Sequence, residues 1–348
     1  IVLVLDRLSA LMVFVTSFLA FCVLVYAIAT DTDKMGAHFH VLFQIQLFGL
    51  NGAFLTGDLF NMFVFFEVLL LASYGLLLHG GGRLRTKAGL HYVVVNLVGS
   101  TLFLFAVSSL YGVLGTLNIA DLALKISQAP EENLGVIAAS GLLLLVVFGI
   151  KAAMFPLYLW LPAAYANTSA AVAALFAIMT KVGIYAIIRV HGTIFGSEAG
   201  ELAYIFAPWL LWLGIITTAL ASFGVMAASS IRAQVAYLVV VSVGTLLIGF
   251  GIHSGESMGA ILYYMIHSTF VAGGFFLLAD IVARSRGEYA DMAVTSPSFA
   301  HLPLLGSIFF AFAVAIAGMP PLSGFFGKLL ILHSAINHPL SAVIFATL

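Results

Sequence analysis

Residues 149–162 read GIKAAMFPLYLWLP and residues 317–332 read AGMPPLSGFFGKLLIL, and these two stretches decide how the chain folds. Each of them continues a long apolar run but contains proline. Proline lacks a backbone N–H and its ring clashes with the carbonyl four residues earlier, so a helix cannot run through it undisturbed. We therefore predict that Pro156, Pro320 and Pro321 interrupt their helices.

The sequence around these two stretches is almost entirely apolar. Of the 348 residues, 63% are hydrophobic and 8% are charged, and the mean hydropathy is +1.16. An ordinary soluble domain carries about 25% charged residues, so this composition excludes a soluble enzyme and a disordered linker. The formal net charge of -1 offers no basic patch to nucleic acid. We predict a single transmembrane domain over residues 1–348, with the lipid bilayer as its partner.

Apolar segments long enough to cross a membrane recur along the chain. A crossing helix needs about 20 residues, whereas a membrane β-strand needs about 10 and alternates in polarity. The predicted fold class is therefore an all-α, polytopic membrane helix bundle. Its ten predicted crossings are 3–29, 37–56, 58–79, 89–112, 133–165, 168–190, 202–223, 231–251, 257–283 and 302–335. Another begins near residue 339, and because both chain ends lie within apolar runs we expect an internal piece of a longer protein.

The two proline breaks also predict how the domain is organised. In lipid every unsatisfied backbone group is costly, so a break persists only where it faces protein or water. Two interrupted helices in matching positions are typical of transporters that consist of an inverted repeat with a site at the membrane midplane. We expect repeats of about 37–190 and 202–348. The alternative is a pair of ordinary proline kinks, because proline is frequent in membrane helices.

The basic residues fall mainly on one side of the predicted crossings. That side carries Lys34, Arg83, Arg85, Lys87, Arg232, Arg284 and Arg286. The other side carries Arg7, Lys125 and Arg189, while the remaining three lysines lie within spans. The positive-inside rule predicts that the first side is cytoplasmic.

Five ionisable residues are predicted inside the membrane, and they are Glu67, Lys151, Lys181, His267 and Lys328. Each buried charge costs about 2.5–3.5 kcal/mol on insertion scales. Four charges therefore cost roughly 10–14 kcal/mol, which rivals the whole stability of a typical domain, about 5–15 kcal/mol. Glu67 can satisfy one lysine in a structural salt bridge but not three. A buried amine without a counter-ion is suited to losing and regaining a proton, so we interpret these residues as a proton relay.

His267 has two possible roles. An imidazole titrates near neutral pH and suits a proton shuttle, but a lone histidine on a helix is often only a hydrogen-bonded packing residue. Its neighbours Tyr263, Tyr264, Ser268 and Thr269 can hold waters around it or can simply pack between helices. The sequence leaves both interpretations open.

The sequence contains no motif for a cofactor or a metal. It has no glycine-rich phosphate loop and no metal-spaced Cys/His cluster, and its single cysteine is Cys22. We therefore predict no cofactor, no metal and no redox chemistry in this chain. Asp58 is predicted to be the N-cap of a helix, and Asn118 is predicted to begin a short surface helix.

Five motifs resemble, in the expected order, the antiporter-like membrane subunits shared by Mrp cation/proton antiporters and respiratory complex I. They are GDLFNMFVFFEV (57–68), KAAMFPLYLWLPAAYANTSAAVAAL (151–175), TKVGIYAIIR (180–189), HSTFVAGGFFLLAD (267–280) and GMPPLSGFFGKLLIL (318–332). The first and fourth motifs are most similar to D subunits of the Mrp type. The resemblance runs through nearly the whole chain and implies a protein of fourteen helices, of which this chain holds the third to the start of the thirteenth.

The resemblance also implies which residues act. The charged residues of the family's fifth, seventh, eighth and twelfth helices match Glu67, Lys151, Lys181 and Lys328. Many relatives carry a lysine soon after the histidine of the eleventh helix, where this chain reads STFV (268–271). This departure leaves His267 as the only titratable group at that level.

The function that the resemblance implies is that of a membrane subunit in a Na⁺ or K⁺/proton antiporter, and not that of an enzyme. Its implied partners are the other subunits of a hetero-oligomeric complex in the inner membrane of a bacterium. The alternative is a proton-pumping subunit of a redox-driven complex, either NADH:quinone oxidoreductase or a membrane-bound hydrogenase. A solute carrier that works alone predicts a polar midplane cavity, and the few polar residues around the three lysines argue against it.

Overall fold

The computed structural model describes residues 2–299 and 301–348, which form a bundle of helices. The first helices are α1 (Arg7–Ala29), α2 (Phe39–Leu55), α3 (Leu59–Leu78), α4 (Arg83–Leu114), α5 (Ile119–Ile126), α6 (Glu131–Ala152), α7 (Trp160–Asn167), α8 (Ala170–Phe176), α9 (Met179–Ala186) and α10 (Gly192–Ile194). The later helices are α11 (Ala207–Ala227), α12 (Ile231–Ile252), α13 (Gly255–Arg286), α14 (Leu302–Ala317), α15 (Ser323–Ser334) and α16 (Ser341–Thr347). Apart from isolated bridges, no β-structure is formed within those two ranges.

The helices account for the predicted membrane crossings. In the described part of the chain, eight helical stretches are long and apolar enough to cross a membrane. Two shorter apolar helices, α2 and α14, lie at the two remaining predicted crossings. The all-α, multi-pass membrane helix bundle predicted from the sequence is therefore confirmed.

Both predicted helix breaks are present. Pro156 lies between the end of α6 and the start of α7, and Pro320 and Pro321 lie between α14 and α15. In each case the helix ends several residues before its proline, which removes the clash between the proline ring and the helix carbonyls.

The two interrupted helices end with the same backbone turn. Ala153 follows α6 with φ 63°, and Gly318 follows α14 with φ 79°, so both residues are left-handed. The N–H of the following residue then donates back to the helix. After α6 the Met154 N–H donates to the Gly149 carbonyl at 2.8 Å, and after α14 the Met319 N–H donates to the Val314 carbonyl at 3.1 Å. This left-handed C-terminal turn satisfies carbonyls that the ended helix would otherwise leave free.

The crossing predicted at 168–190 is present as the helical stretch Ala170–Ile194, which is not one regular α-helix. A bend at Ala177 and Ile178 separates α8 from α9, and the π-helical turn Ile187–His191 follows α9. The whole stretch is buried, because α1, α2, α6, α12 and α13 pack against it. Small alanines in α8 permit this close approach of neighbouring helices.

The irregular backbone of this central span is satisfied by protein rather than by lipid. The Tyr165 hydroxyl donates a hydrogen bond to the Phe176 carbonyl at 2.8 Å, at the end of α8. Non-helical backbone is tolerated at membrane depth only where such partners surround it. The interruption is therefore a consequence of the central position of this span.

The helix α4 extends beyond the predicted crossing 89–112 at its N-terminus. It begins at Arg83, so Arg83, Arg85 and Lys87 lie in its first turns. Arg85 Nε donates to the Asn167 carbonyl at 3.0 Å, which joins this end of α4 to the end of α7. Long basic side chains can carry a helix beyond the hydrocarbon layer because their charged ends remain in a polar environment.

Both predicted helix starts are confirmed. Asp58 Oδ1 accepts the Asn61 N–H at 2.9 Å at the start of α3. Asn118 Oδ1 accepts the N–H groups of Ala120 and Asp121 at 3.1 and 3.2 Å at the start of α5. Both side chains therefore act as ordinary N-caps.

An ion pair ties the central span to α1. Arg189 Nη1 and Nη2 lie 2.6 and 2.8 Å from the two carboxylate oxygens of Asp6, and Nη2 also donates to Ser9 Oγ at 2.9 Å. The hydrogen bonds from the guanidinium hold the pKa of Asp6 well below its usual range. A bidentate pair of this kind fixes geometry as well as charge.

Glycines allow α11 and α12 to pack with their backbones in contact. A methyl group on Gly244 would lie 2.8 Å from the Gly214 carbonyl oxygen and would overlap the Thr218 hydroxyl. A methyl group on Gly214 would lie 2.8 Å from the Ile248 backbone nitrogen. Small residues at membrane helix interfaces are what such close packing requires.

We expect Gly244→Ala to lower the stability of the full-length protein by roughly 1–3 kcal/mol, because the added methyl group overpacks this interface. The matched control is Gly259→Ala, since nothing lies within 4 Å of that position. Alanine is the better helix former, so the control is expected to keep or raise stability. Melting of the protein in detergent compares the two variants, and equal melting temperatures would contradict the close packing.

Candidate functional site

Glu67 lies on α3 and faces α4. Its side chain is half-buried, and the Ser100 hydroxyl donates a hydrogen bond to its Oε1. Beside it is an opening of about 400 Å³ that Thr101 and Ser108 also line. Within residues 2–299 and 301–348 Glu67 forms no ion pair, so the structural salt bridge that the sequence left open is absent.

Lys151 lies in the last turn of α6, beside the first helix break. Its amine is buried and donates to Asn96 Oδ1 on α4 at 3.3 Å, while the Asn96 amide donates to the Tyr92 carbonyl at 2.9 Å. The partner of this amine is therefore a neutral amide. Asn96 and Ser100 are four residues apart and lie on one face of α4, so one helix contacts both Glu67 and Lys151.

A small cavity extends from Lys151 towards the central span. Its volume is about 10 Å³, and Asn96, Lys151, Trp160, Met179 and Val182 are among the residues that line it. A cavity of about 10–15 Å³ is the minimum for one water molecule. Met179 and Val182 flank Lys181 in the sequence, so this space lies between the helices that carry the two lysines.

Lys181 has no exposed surface at all. Its Nζ donates to Ser242 Oγ on α12 at 2.9 Å, and that hydroxyl donates onward to the Val239 carbonyl at 2.7 Å. Two further polar atoms near this level, Thr180 Oγ1 and Gln46 Oε1, are buried without a partner in the described part of the chain. The amine therefore lies in an apolar core that contains a few uncharged polar atoms.

His267 lies on α13 and contacts both sides of the second helix break. Its Nε2 is 3.1 Å from the Ala315 carbonyl oxygen on α14, and its Nδ1 is 2.8 Å from Ser323 Oγ at the start of α15. Lys328, half-buried on α15, donates to the Ala317 carbonyl at 3.2 Å. The structure thus places these two titratable residues together at the break.

The polar neighbours of His267 bond within their own helix. The Ser268 and Thr269 hydroxyls donate to the Met265 carbonyl at 3.3 and 2.7 Å, and Tyr263 is partly exposed at the bundle surface. For Ser268 and Thr269 these contacts favour packing within the bundle over holding water.

The sequence prediction missed the uncharged partners of the five ionisable residues. Asn96, Ser100, Ser242 and Ser323 contact the predicted ionisable residues but were not singled out. Their signal is a lone polar residue in an otherwise apolar helix, and for Asn96 and Ser100 it is also the spacing of four. No group of three or more His, Cys, Asp or Glu residues that can hold a metal occurs in the part of the chain that the structure describes.

Comparison with known proteins gives a family match and similar relatives for this chain. The family model described as NADH:quinone oxidoreductase/Mrp antiporter, TM, matches residues 56–348. The D subunit of a probable K(+)/H(+) antiporter from Rhizobium meliloti (strain 1021) is 47% identical over 358 residues, which cover 97% of this chain and 66% of that protein. The D subunit of a Na(+)/H(+) antiporter from Bacillus subtilis (strain 168) is 41% identical over 330 residues, which cover 94% of this chain and 66% of that protein.

A solved structure is similar over the same length. A polypeptide in the structure of the Mrp complex from Dietzia sp. DQ12-45-1b matches 99% of this chain with a TM-score of 0.84 and 33% identity, and 64% of that polypeptide is covered. The chain thus spans about two thirds of the length of the curated relatives that it matches, 66% in both cases. On the match to the family model, the chain belongs to the NADH:quinone oxidoreductase/Mrp antiporter family of membrane proteins.

Proposed function

We propose that this chain is the proton-conducting part of a membrane subunit in a multisubunit antiporter, which exchanges Na⁺ or K⁺ for protons across a bacterial plasma membrane. The observation that carries the proposal is Lys181, a fully buried amine whose partner is a serine hydroxyl and not a carboxylate. An ionisable residue buried within a membrane protein marks a functional site. The names of the two curated relatives and the Mrp complex support this function and its partner subunits.

The first step of the proposed relay joins Glu67 to Lys151. The Ser100 hydroxyl contacts Glu67, and the Asn96 amide one turn away on α4 holds Lys151. A hydroxyl can both donate and accept a hydrogen bond, whereas an amide oxygen only accepts. Ser100 is therefore suited to passing a proton, and Asn96 to orienting the amine. A charge that moves near Glu67 changes its attraction for Lys151 and so the proton affinity of the next amine.

The second step joins Lys151 to Lys181 through water. The cavity of about 10 Å³ beside Lys151 has room for about one water molecule. Lys151 and Asn96 are among its polar lining residues. The unpartnered oxygens of Gln46 and Thr180 lie on α2 and on α9, the helix that carries Lys181. A water in this space offers the donor and acceptor that the apolar side chains do not.

The third step leads from Lys181 to the second helix break. Ser242 holds the Lys181 amine on α12, and His267 and Lys328 lie beyond it on α13 and α15. Neutral partners leave each of these groups free to change its charge, whereas a direct carboxylate would hold an ammonium in place. In this proposal the five ionisable residues form one relay along the membrane plane.

The proposed relay lies across a proposed inverted repeat of residues 37–190 and 202–348. Each half contains one helix of 32 residues, α4 or α13, followed by a broken helix. The left-handed residues Ala153 and Gly318 are separated along the chain by the same distance as the starts of the two repeats. In each half a polar side chain of the long helix contacts a residue beside the break. Asn96 contacts Lys151 in the first half, and His267 contacts Ala315 in the second.

The alternative function is a proton-pumping subunit of a redox-driven complex. The family model includes NADH:quinone oxidoreductase subunits by its description, and the same relay would serve such a complex. The genes that neighbour this one distinguish the two functions. Small cation-antiporter subunits favour the antiporter, whereas hydrogenase-like or NADH-dehydrogenase subunits favour the redox complex.

We expect Glu67→Gln to abolish cation/proton exchange, because the amide keeps the hydrogen bond with Ser100 but cannot ionise. The complete complex is reconstituted in vesicles, and dissipation of a pH gradient is measured on adding Na⁺ or K⁺. Glu132→Gln is the control, since Glu132 is exposed at the start of α6. Exchange at the normal rate by an assembled Glu67→Gln complex would refute the role of Glu67.

We expect Ser242→Ala to lower the exchange rate at least about tenfold, because a hydrogen bond to a charged group contributes about 1.5–3 kcal/mol and Lys181 loses its partner. Ser222→Ala is the matched control, because that hydroxyl donates only to the Thr218 carbonyl of its own helix at 2.8 Å. The same vesicle assay measures both variants. If the two variants exchange equally fast, Ser242 does not position Lys181 for transport.

A further inference from the structure

The first helix break is held by groups that do not titrate. The Ile150 carbonyl accepts a hydrogen bond from the Trp160 indole N–H at 3.2 Å, and the Phe155 N–H donates to Thr217 Oγ1 at 3.0 Å. Indole nitrogen is only a donor, and neither indole nor threonine changes its charge at physiological pH. The hydrogen bonds of this break are therefore the same whichever residues of the proposed relay carry a proton.

The second break is held by groups that do titrate. Carbonyls near the end of α14 are satisfied by His267, at Ala315, and by Lys328, at Ala317. The Ala315 carbonyl also accepts the Gly318 N–H at 3.2 Å, and the packing around it is tight, since a methyl group on Gly324 would overlap this carbonyl and lie 2.8 Å from His267 Nε2. A change of protonation at this break therefore occurs on side chains that bond to it directly.

The contacts of His267 define where its hydrogen atoms lie. A backbone carbonyl only accepts hydrogen bonds, so the Nε2 that contacts Ala315 carries a hydrogen. In the neutral ring Nδ1 then has a free lone pair and accepts from the Ser323 hydroxyl at 2.8 Å. In the protonated ring Nδ1 also carries a hydrogen and must donate to Ser323 instead. Ser323 can accept it only by turning its own hydrogen to another acceptor.

We propose that Ser323 is a positioning residue that couples the protonation of His267 to the second helix break, through the reversal of the hydrogen bond between His267 Nδ1 and Ser323 Oγ. The inference rests on the proposed function, which it deepens by naming the part of the relay that responds to a proton. Ser323 is exposed at the start of α15, so its hydroxyl has room to turn. The same helix carries Lys328 five residues later, so a change at its first residue reaches the next titratable group.

The charged and titratable surroundings of His267 are few. Lys328 on α15 and Lys181 on α9 are the charges that act on it, and the Tyr264 ring on its own helix lies 5.8 Å away. The sequence of α14 contains no ionisable residue. Ser323 is thus the side chain through which a change on the imidazole passes directly to the helix that follows the break.

The test compares three variants of the complete complex in vesicles across a range of pH. Ser323→Ala is expected to lower exchange at least about tenfold and to move the midpoint of its pH profile, because Nδ1 loses its partner. Ser323→Thr keeps the hydroxyl and is expected to restore the wild-type profile. Ser334→Ala, whose hydroxyl donates within the same helix to the Ile331 carbonyl at 2.7 Å, is expected to match the wild type. A Ser323→Ala profile that coincides with the wild type would overturn the proposal.

A second measurement does not depend on transport. Nitrogen-15 spectra of the histidine rings in the lipid-embedded complex, with His267→Gln to identify the signal, report the state of Nδ1. The Nδ1 resonance is expected to move in Ser323→Ala and to stay in Ser334→Ala, and an unmoved resonance overturns the proposal. If the wild-type complex shows no exchange at all, the proposed function fails, while the ring spectra still decide whether Ser323 pairs with His267.

Discussion

Backbone carbonyls that have lost their helical partners are the constraint on which the rest of this structure depends. A bilayer supplies no water to satisfy them, so every break in a membrane helix must be matched by donors from the protein itself. Here the donors are an indole, a phenol, an imidazole and an amine, each sent from a neighbouring helix. These contacts bring polar side chains to the irregular segments, and several residues of the two proline breaks are exposed at the bundle surface.

The chemistry of those donors separates the two halves of the bundle. At the first break the carbonyl is satisfied by Trp160, and the nearby Lys151 bonds to an amide on another helix. At the second break the titratable residues His267 and Lys328 donate to carbonyls of α14, in addition to the backbone turn. Two segments with the same backbone turn therefore differ in what a proton does to them. In our proposal the first break keeps its hydrogen bonds when Lys151 changes charge, whereas at the second break the hydrogen bond between His267 Nδ1 and Ser323 Oγ reverses.

Apolar run lengths were enough to predict the ten crossings, and proline was enough to predict both breaks, because each depends on local chemistry. The buried ionisable residues were also visible, since charge is rare in such a sequence. The family resemblance, rather than the spacing of residues, matched four of them to known positions. The crossing at 168–190 was predicted without its bends, because these depend on neighbours that surround the span only in the folded bundle. The partners of the candidate site were beyond sequence reasoning for the same reason, since the bonds from Lys181 to Ser242 and from Lys151 to Asn96 join helices that are distant along the chain.

The π-helical turn at Ile187–His191 changes the direction in which side chains point before and after it in the central span. An α-helix advances by about 100° per residue, and a π-turn accommodates one extra residue, which rotates everything after it relative to everything before. Arg189 within this turn forms an ion pair with Asp6, the N-cap of α1. Lys181, which precedes the turn, donates a hydrogen bond to Ser242 on α12. The contact of Arg189 with Asp6 can therefore change without a change in the direction of the Lys181 amine. The extra residue of the π-turn thus separates the ion pair of Arg189 from the hydrogen bond of Lys181.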